Sequence, residues 1–102
     1  MNENPEILEL AEQILDICSP LKIILYNKKH NLNDELASFK LCVIVSDDTD
    51  AIELESRIYL ELDSENPFDV LIYKSTEWNT LSADDISFAG KISKTGVVLY
   101  EL

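Results

Sequence analysis

Three short runs of apolar, mostly β-branched or aromatic residues constrain the fold of this chain more than any other feature. They occupy residues 22–26, 40–45 and 68–73. Runs of this length and composition are typical of strands that are buried on both faces. None approaches the roughly 20 apolar residues that a helix needs to span a bilayer. We therefore expect a soluble domain built on a sheet.

Helical periodicity is found before the first run and between the second and third. Asn4 and Pro5 predict the start of the first helix, because asparagine is a favoured N-cap and proline is favoured in the first turn. Pro20 ends this helix, since the residue before a proline avoids the helical region. A polar turn at residues 46–50 is interpreted as the cap of a second helix over 51–63.

The C-terminal third predicts a short helix, a third main helix and a terminal strand. Ser82 and Asp85 match the spacing of a capping box for the main helix. Gly96 is expected to follow it as a left-handed C′ residue. Trp78 and Phe88 are interpreted as core or edge packing, with a partner surface as the alternative. The predicted fold is α/β (α+β), order α-β-β-α-β-α-β, with a central mixed sheet and helices on one face and at the ends.

The charge balance excludes several classes of partner. The 102 residues include 8 Lys or Arg and 20 Asp or Glu, which gives a net charge of −12. Extended nucleic-acid binding and docking on an anionic membrane both need clustered cations, so neither is expected.

The first residues lack a signal-peptide pattern. Cys18 and Cys42 lie in apolar stretches and are interpreted as buried, reduced thiols of a cytoplasmic protein. A zinc site is not expected, because the sequence has no Cys-x-x-Cys motif and His30 is its one histidine.

The end of the chain carries the most telling motif. A helix is followed by Gly-Val-Val-Leu-Tyr-Glu, residues 96–101. Together with the acidic-faced first helix and the three apolar strands, this ending resembles the minimal nucleotidyltransferase domain, a small branch of the polymerase-β-like superfamily. The resemblance covers nearly the whole chain and implies a single nucleotidyltransferase-like domain over residues 1–102.

The resemblance also implies where an active site would lie. In that family a Gly-Ser pair after the first strand holds the triphosphate, and an Asp-x-Asp pair with a third Asp gathers two magnesium ions. The matching positions here hold Asn27-Lys28, then Ser38 and Lys40, and only Asp69 remains. A vestigial Asp69 in a degenerate site implies no catalytic residues, no bound metal and no cofactor. Lys40 is expected to lie on the face of Asp69, within salt-bridge or water-bridged distance of it.

The polar segment after the first strand is a second candidate site. Residues 27–38 are predicted to form a loop with one helical turn near 34–36. It is interpreted either as an ordinary charged loop or as an anion site, since cationic side chains hold phosphate directly. The candidate anion-binding side chains are Lys28, Lys29, His30 and Lys40.

Three hypotheses for function remain open. The first is a catalytically inactive nucleotidyltransferase-fold protein that acts as an interaction module. Its partner, as the resemblance implies, is a small helical HEPN-type protein in a toxin–antitoxin-like pair, or a second copy. The second is an active magnesium-dependent nucleotidyltransferase that uses a non-standard carboxylate set. The third is an unrelated α/β domain with the same order of elements. The carboxylates that the second hypothesis requires are Asp34, Glu35, Asp47 and Asp69.

Overall fold

The structure, a computed structural model, describes residues 3–102 as a mixed α+β domain, as predicted. The elements are α1 (Pro5–Cys18), β1 (Lys22–His30), β2 (Leu36–Val45), α2 (Ala51–Glu61), β3 (Phe68–Lys74), α3 (Ser75–Ser82), α4 (Phe88–Thr95) and β4 (Val97–Glu101). Counting the short α3 separately, the order is the predicted one. None of the helices in residues 3–102 has the length and apolar character needed to cross a membrane.

The four strands form one mixed sheet in the order β3-β2-β1-β4. β1 is antiparallel to β2 and to β4, whereas β2 and β3 are parallel. The parallel pair requires a crossover, which α2 supplies. The predicted pairing of the second and third apolar runs in a central mixed sheet is confirmed.

Helices cover both faces of the sheet, so the prediction of helices on one face and at the ends was wrong. Phe39, Leu41 and Val43 pack against α1 and α2. Cys42 and Ile44, which alternate with them along β2, pack with residues of α3 and α4. Because consecutive β2 residues are apolar, each face must be shielded from water by its own helical layer.

The predicted ends of α1 are confirmed. Asn4 Oδ1 accepts a hydrogen bond from the Glu6 N–H at 2.8 Å, and Pro5 is the first helical residue. Ser19 takes a left-handed conformation, with φ of 47°, before the buried Pro20. The helix therefore stops where the chain must turn into β1.

The segment between β1 and β2 is a hairpin instead of a long loop. The strands continue to His30 and from Leu36, so only residues 31–35 connect them. Asn31 Oδ1 accepts from the N–H groups of residues 33 and 35, at 2.8 and 3.0 Å. Asp34 is left-handed, with φ of 61°, so the predicted helical turn is also wrong. Backbone pairing satisfies the N–H and C=O groups of the strands even where their side chains are polar.

The third main helix begins later than its sequence predicts. Ser82 is the last residue of α3 and does not cap the next helix. The cap is Ser87, whose Oγ accepts a hydrogen bond from the Gly90 N–H at 2.9 Å. The predicted partner of Ser82, Asp85, instead forms an ion pair with Lys94 at 3.0 Å.

The two cysteines are free thiols that pack on opposite faces of the sheet. Cys42 is fully buried, as expected, and burial raises its pKa to about 12. Cys18 is half-buried, and its burial raises its pKa to about 11. Both thiols are therefore protonated at neutral pH and are poor nucleophiles.

Gly96 follows α4 for a steric reason, and the predicted left-handed conformation is wrong. Its backbone is extended, with φ of −73° and ψ of 159°. A Cβ atom there would lie 2.4 Å from Ile24 Cγ2 and 2.7 Å from the Ile92 carbonyl oxygen. Glycine is needed because α4 and β1 approach each other closely at this point.

We expect Gly96→Ala and Gly96→Asn to destabilise the protein to a similar extent, by about 1–3 kcal/mol, because each forces a Cβ into a packed contact. Urea unfolding measures the change. Ser93→Ala, on the exposed side of the same helix, serves as the control and should shift stability by about 0.5 kcal/mol or less. A clear preference for Asn over Ala would contradict the steric account, since asparagine tolerates the left-handed region.

Candidate functional site

Lys40 and Asp69 are directly paired across the parallel strands β2 and β3. Phe39 precedes Lys40 and Val70 follows Asp69, and both are buried against the helical layer of α1 and α2. Because side chains alternate along a strand, Lys40 and Asp69 lie together on the opposite face. This confirms the prediction that they share a face.

A bulge in β1 brings Asn27 to the same place. The pairing of β1 with β2 shifts after Leu25, so that Asn27 pairs with Lys40. Ser38 lies two residues before Lys40 and therefore on the same face. These four residues, Asn27, Ser38, Lys40 and Asp69, are called the polar patch below. The structure thus gathers the four on one face.

The polar patch lies beside the α3–α4 layer and is not buried by it. Asp69 is exposed, and Asn27, Ser38 and Lys40 are half-buried. At its boundary the Tyr26 ring meets the Phe88 ring edge-on, with centroids 5.7 Å apart. Phe88 is 56% exposed, so it is a rim residue and not part of the core. Trp78, in contrast, is buried, as predicted.

Lys40 and Asp69 do not form a direct ion pair. The four ion pairs within the described part of the chain join other residues. An exposed pair gains little from direct contact, because water solvates both charges well. Lys40 and Asp69 are therefore two neighbouring charges on one face without a direct ion pair, and the water-bridged contact stays a prediction. The Oδ1 of Asn27 is buried there and accepts no hydrogen bond from the residues described.

The proposed anion-binding side chains do not converge. Lys28 pairs with Phe39, whose side chain faces α1 and α2, and its Nζ binds the Glu3 carboxylate at 3.0 Å. Partial burial acts to raise the pKa of Glu3, but hydrogen bonds from the backbone of Asn4 and from Lys28 hold it below its usual value. Lys29 and His30 are exposed on the hairpin. Lys28 is thus engaged on the face away from Lys40.

The carboxylates of the alternative metal site lie at opposite ends of β2. Asp34 and Glu35 belong to the hairpin loop, whereas Asp47 follows the far end of the strand. Ten strand residues correspond to roughly 30 Å. Residues 3–102 contain no group of three Asp, Glu, His or Cys side chains placed to hold one metal ion.

The turn after β2 caps two helices, of which sequence reasoning found one. Asp50 Oδ1 accepts from the Glu53 N–H at 3.1 Å and caps α2, as predicted. Asp47 accepts from the backbone N–H of Thr76 at 2.9 Å and from its hydroxyl, which caps α3 from a distant segment. These hydrogen bonds lower the pKa of Asp47. No local pattern signals this contact, because it depends on the tertiary fold.

Comparisons of this chain with protein-family models, with curated proteins and with solved structures found no match. Its function must therefore be inferred from its own residues and their geometry. Two features are available for this, the polar patch and the distribution of charge.

The charge is unevenly distributed along the chain and is concentrated in the segments that form α1 and α2. Residues 3–18 and 46–67, which form α1, α2 and the loops flanking α2, hold thirteen carboxylates and one cation, Arg57. The rest of the chain holds seven acidic and seven basic residues. These two segments therefore account for the entire net charge of −12. Sequence reasoning used only the total, although counting charges segment by segment would have shown the pattern.

We expect Asp47→Asn to destabilise the protein at pH 6–7 and to have little effect at the lowest pH values where the protein stays folded. The folded-state pKa of Asp47 lies below its ordinary value of 3.8. Its ionised form therefore contributes stability that is present above 3.8 and is lost as pH falls through the folded value. Urea unfolding between pH 2 and 7 measures the difference.

Asp48→Asn is the matched control, because it removes a charge from the same turn, and within residues 3–102 the Asp48 carboxylate accepts a hydrogen bond from the Ser46 hydroxyl alone. Equal behaviour of the two variants would show that net charge, and not the cap on α3, causes the effect.

Proposed function

We propose that this chain is a non-catalytic interaction module built on a nucleotidyltransferase-like sheet whose active-site positions have been replaced. The observation that carries the proposal is the pairing of Lys40 with Asp69 on one face. At the position where the resemblance calls for a metal-binding carboxylate, the sheet presents a cation. A fixed positive charge disfavours a divalent cation at the same place, most strongly where water is partly excluded.

The remaining groups of the polar patch support the same proposal. Magnesium binds six oxygens in tight octahedral geometry, and Asp69 is the single carboxylate of the patch. Asn27 presents a buried acceptor, Oδ1, which does not complement the acceptor oxygens of a phosphate. Lys28 is held by Glu3 on the other face. These two observations argue against phosphate binding at the positions that match the Gly-Ser pair.

The proposed partner is a protein. A small helical partner of the HEPN type is what the family resemblance implies, and a strongly acidic helical layer is suited to such contact. Two free thiols, one of them fully buried, support a reducing compartment such as the cytoplasm. An active transferase would need Glu35 and Asp47 to meet at Asp69, and β2 holds those two apart.

The purified protein is expected to show no transfer of label from ATP, with magnesium or with manganese, above the level of its Asp69→Asn variant. The reason is that two of the three metal-binding carboxylates are replaced, and each 1.4 kcal/mol of lost transition-state stabilisation slows a reaction about tenfold. Pyrophosphate release and label transfer are both measured. Metal-dependent transfer that disappears in Asp69→Asn would contradict the proposal.

Restoring the carboxylates is expected to restore a metal site. In Ser38→Asp/Lys40→Asp, three carboxylates lie on one face of β2 and β3, so manganese binding should become measurable by titration calorimetry. Adding Asp69→Asn should weaken it by about tenfold or more. The control is Ser38→Asn/Lys40→Gln, which keeps similar shapes without the charges. Strong manganese binding by the natural protein, or binding that does not depend on Asp69, would contradict the assignment of the motif positions.

A further inference from the structure

Helix α2 is apolar on two opposite sides. One row, spaced four residues apart, is buried in the core: Leu54, Ile58 and Leu62. A second row with the same spacing, two residues earlier, points outward: Ile52, Ser56 and Leu60. A shift of two residues is about 200° around a helix, which places the rows on opposite sides.

The apolar side chains of the outward row are not buried against the rest of the described domain. Ile52 is 84% exposed and Leu60 is 85% exposed, so no other part of the described chain covers them. They are eight residues apart, about 12 Å along the axis, with the small Ser56 between them. A surface helix ordinarily carries a single apolar stripe, toward the core. Two exposed apolar side chains in one row, on a helix whose opposite side already packs in the core, make this face a candidate contact surface for a partner.

The charged side chains around this row are mostly carboxylates, and the one cation of α2, Arg57, is paired with Glu61 at 2.9 Å. Glu53 and Glu55 lie on either side of the row, and Asp63 follows its C-terminal end. Beyond Asp63, a cleft of about 470 Å³ is lined by further acidic side chains of α1 and of the loop after α2. An apolar centre inside a charged rim is the usual arrangement of a protein–protein interface.

The negative charge around α1 and α2 determines which class of partner can bind this face. A second copy would bring its own net −12 against the same charge, and nucleic acids and anionic membranes would be repelled for the same reason. A protein with a basic surface would instead be attracted and steered to this face.

We propose that the outward face of α2, centred on Ile52 and Leu60 and rimmed by Glu53, Glu55 and Asp63, docks a basic partner protein. An apolar contact at the centre supplies affinity, and Lys or Arg side chains of the partner meet the carboxylate rim. This inference rests on the proposed function as an interaction module, and it adds the surface and the chemistry of the partner.

The test uses a synthetic amphipathic helical peptide with leucines on one face and lysines on the other, and a second peptide with glutamates in place of the lysines. Amide chemical shifts of the intact protein map the contact. We expect the basic peptide to perturb the signals of α2 around Ile52 and Leu60, and the acidic peptide to perturb none. Absence of binding by the basic peptide, or shifts spread over both faces, would overturn the proposal.

Matched variants distinguish binding at this surface from non-specific binding to any exposed apolar side chain. Leu60→Gln should weaken binding of the basic peptide by about tenfold, as loss of a central apolar contact does. Ile86→Gln should leave binding unchanged, because Ile86 is also 85% exposed but lies between α3 and α4. Unchanged amide dispersion shows that both variants are folded. Equal weakening by the two variants would overturn the proposal.

The salt dependence tests the role of the rim. Glu53→Gln/Glu55→Gln should reduce the salt dependence of binding, whereas Leu60→Gln should lower affinity at every salt concentration with the same salt dependence. Sedimentation of the protein alone gives a further check, since a dimer that Leu60→Gln dissociates would assign the face to a second copy. If the protein transferred nucleotidyl groups and still bound the basic peptide at this face, the proposed non-catalytic function would be wrong, but the docking surface would stand.

Discussion

The burial of β2 on both faces is the constraint on which the rest of the structure depends. Its residues 41–45 are all buried, and β2 is hydrogen-bonded to β1 on one side and to β3 on the other. A strand in this position must be covered from above and below, so the chain supplies α1 and α2 for one face and α3 and α4 for the other. The close approach at Gly96 and the cap that Asp47 places on α3 both serve this arrangement, because they position the second layer.

The polar patch exists because the side chains on one face of β2 change from polar to apolar along the strand. Its apolar half lies under helices on both faces, whereas its first half, with Ser38 and Lys40 on one face, extends past α3 and α4 into the hairpin. Polar side chains at that end remain accessible without opening the core. The same geometry would suit a metal-binding active site or its replacement, and only the chemistry of the side chains separates the two. A cation opposite one carboxylate favours the replacement.

The apolar strands, the order of elements along the chain and the shared face of Lys40 and Asp69 were predictable, because apolar runs and strand alternation are strong local signals. The bulge at Tyr26 was not. Without it, alternation from Leu25 would place Lys28 on the polar patch and Asn27 against α1; with it, the two exchange faces. The cap at Ser87 was equally hidden, since Ser82 and Asp85 match the spacing of a capping box, whereas Ser87 is followed three residues later by Gly90.

Charge segregation links the fold to the proposed interaction. Thirteen carboxylates and one arginine lie in the two segments that form α1, α2 and the loops flanking α2, and this concentration costs stability because like charges repel across the compact state. Spreading the same residues over both faces would reduce that repulsion and leave the core unchanged. The acidic layer also surrounds exposed Ile52 and Leu60, which core packing does not require. Two features that folding alone disfavours thus coincide on one face, and binding of a basic protein would compensate for both at once.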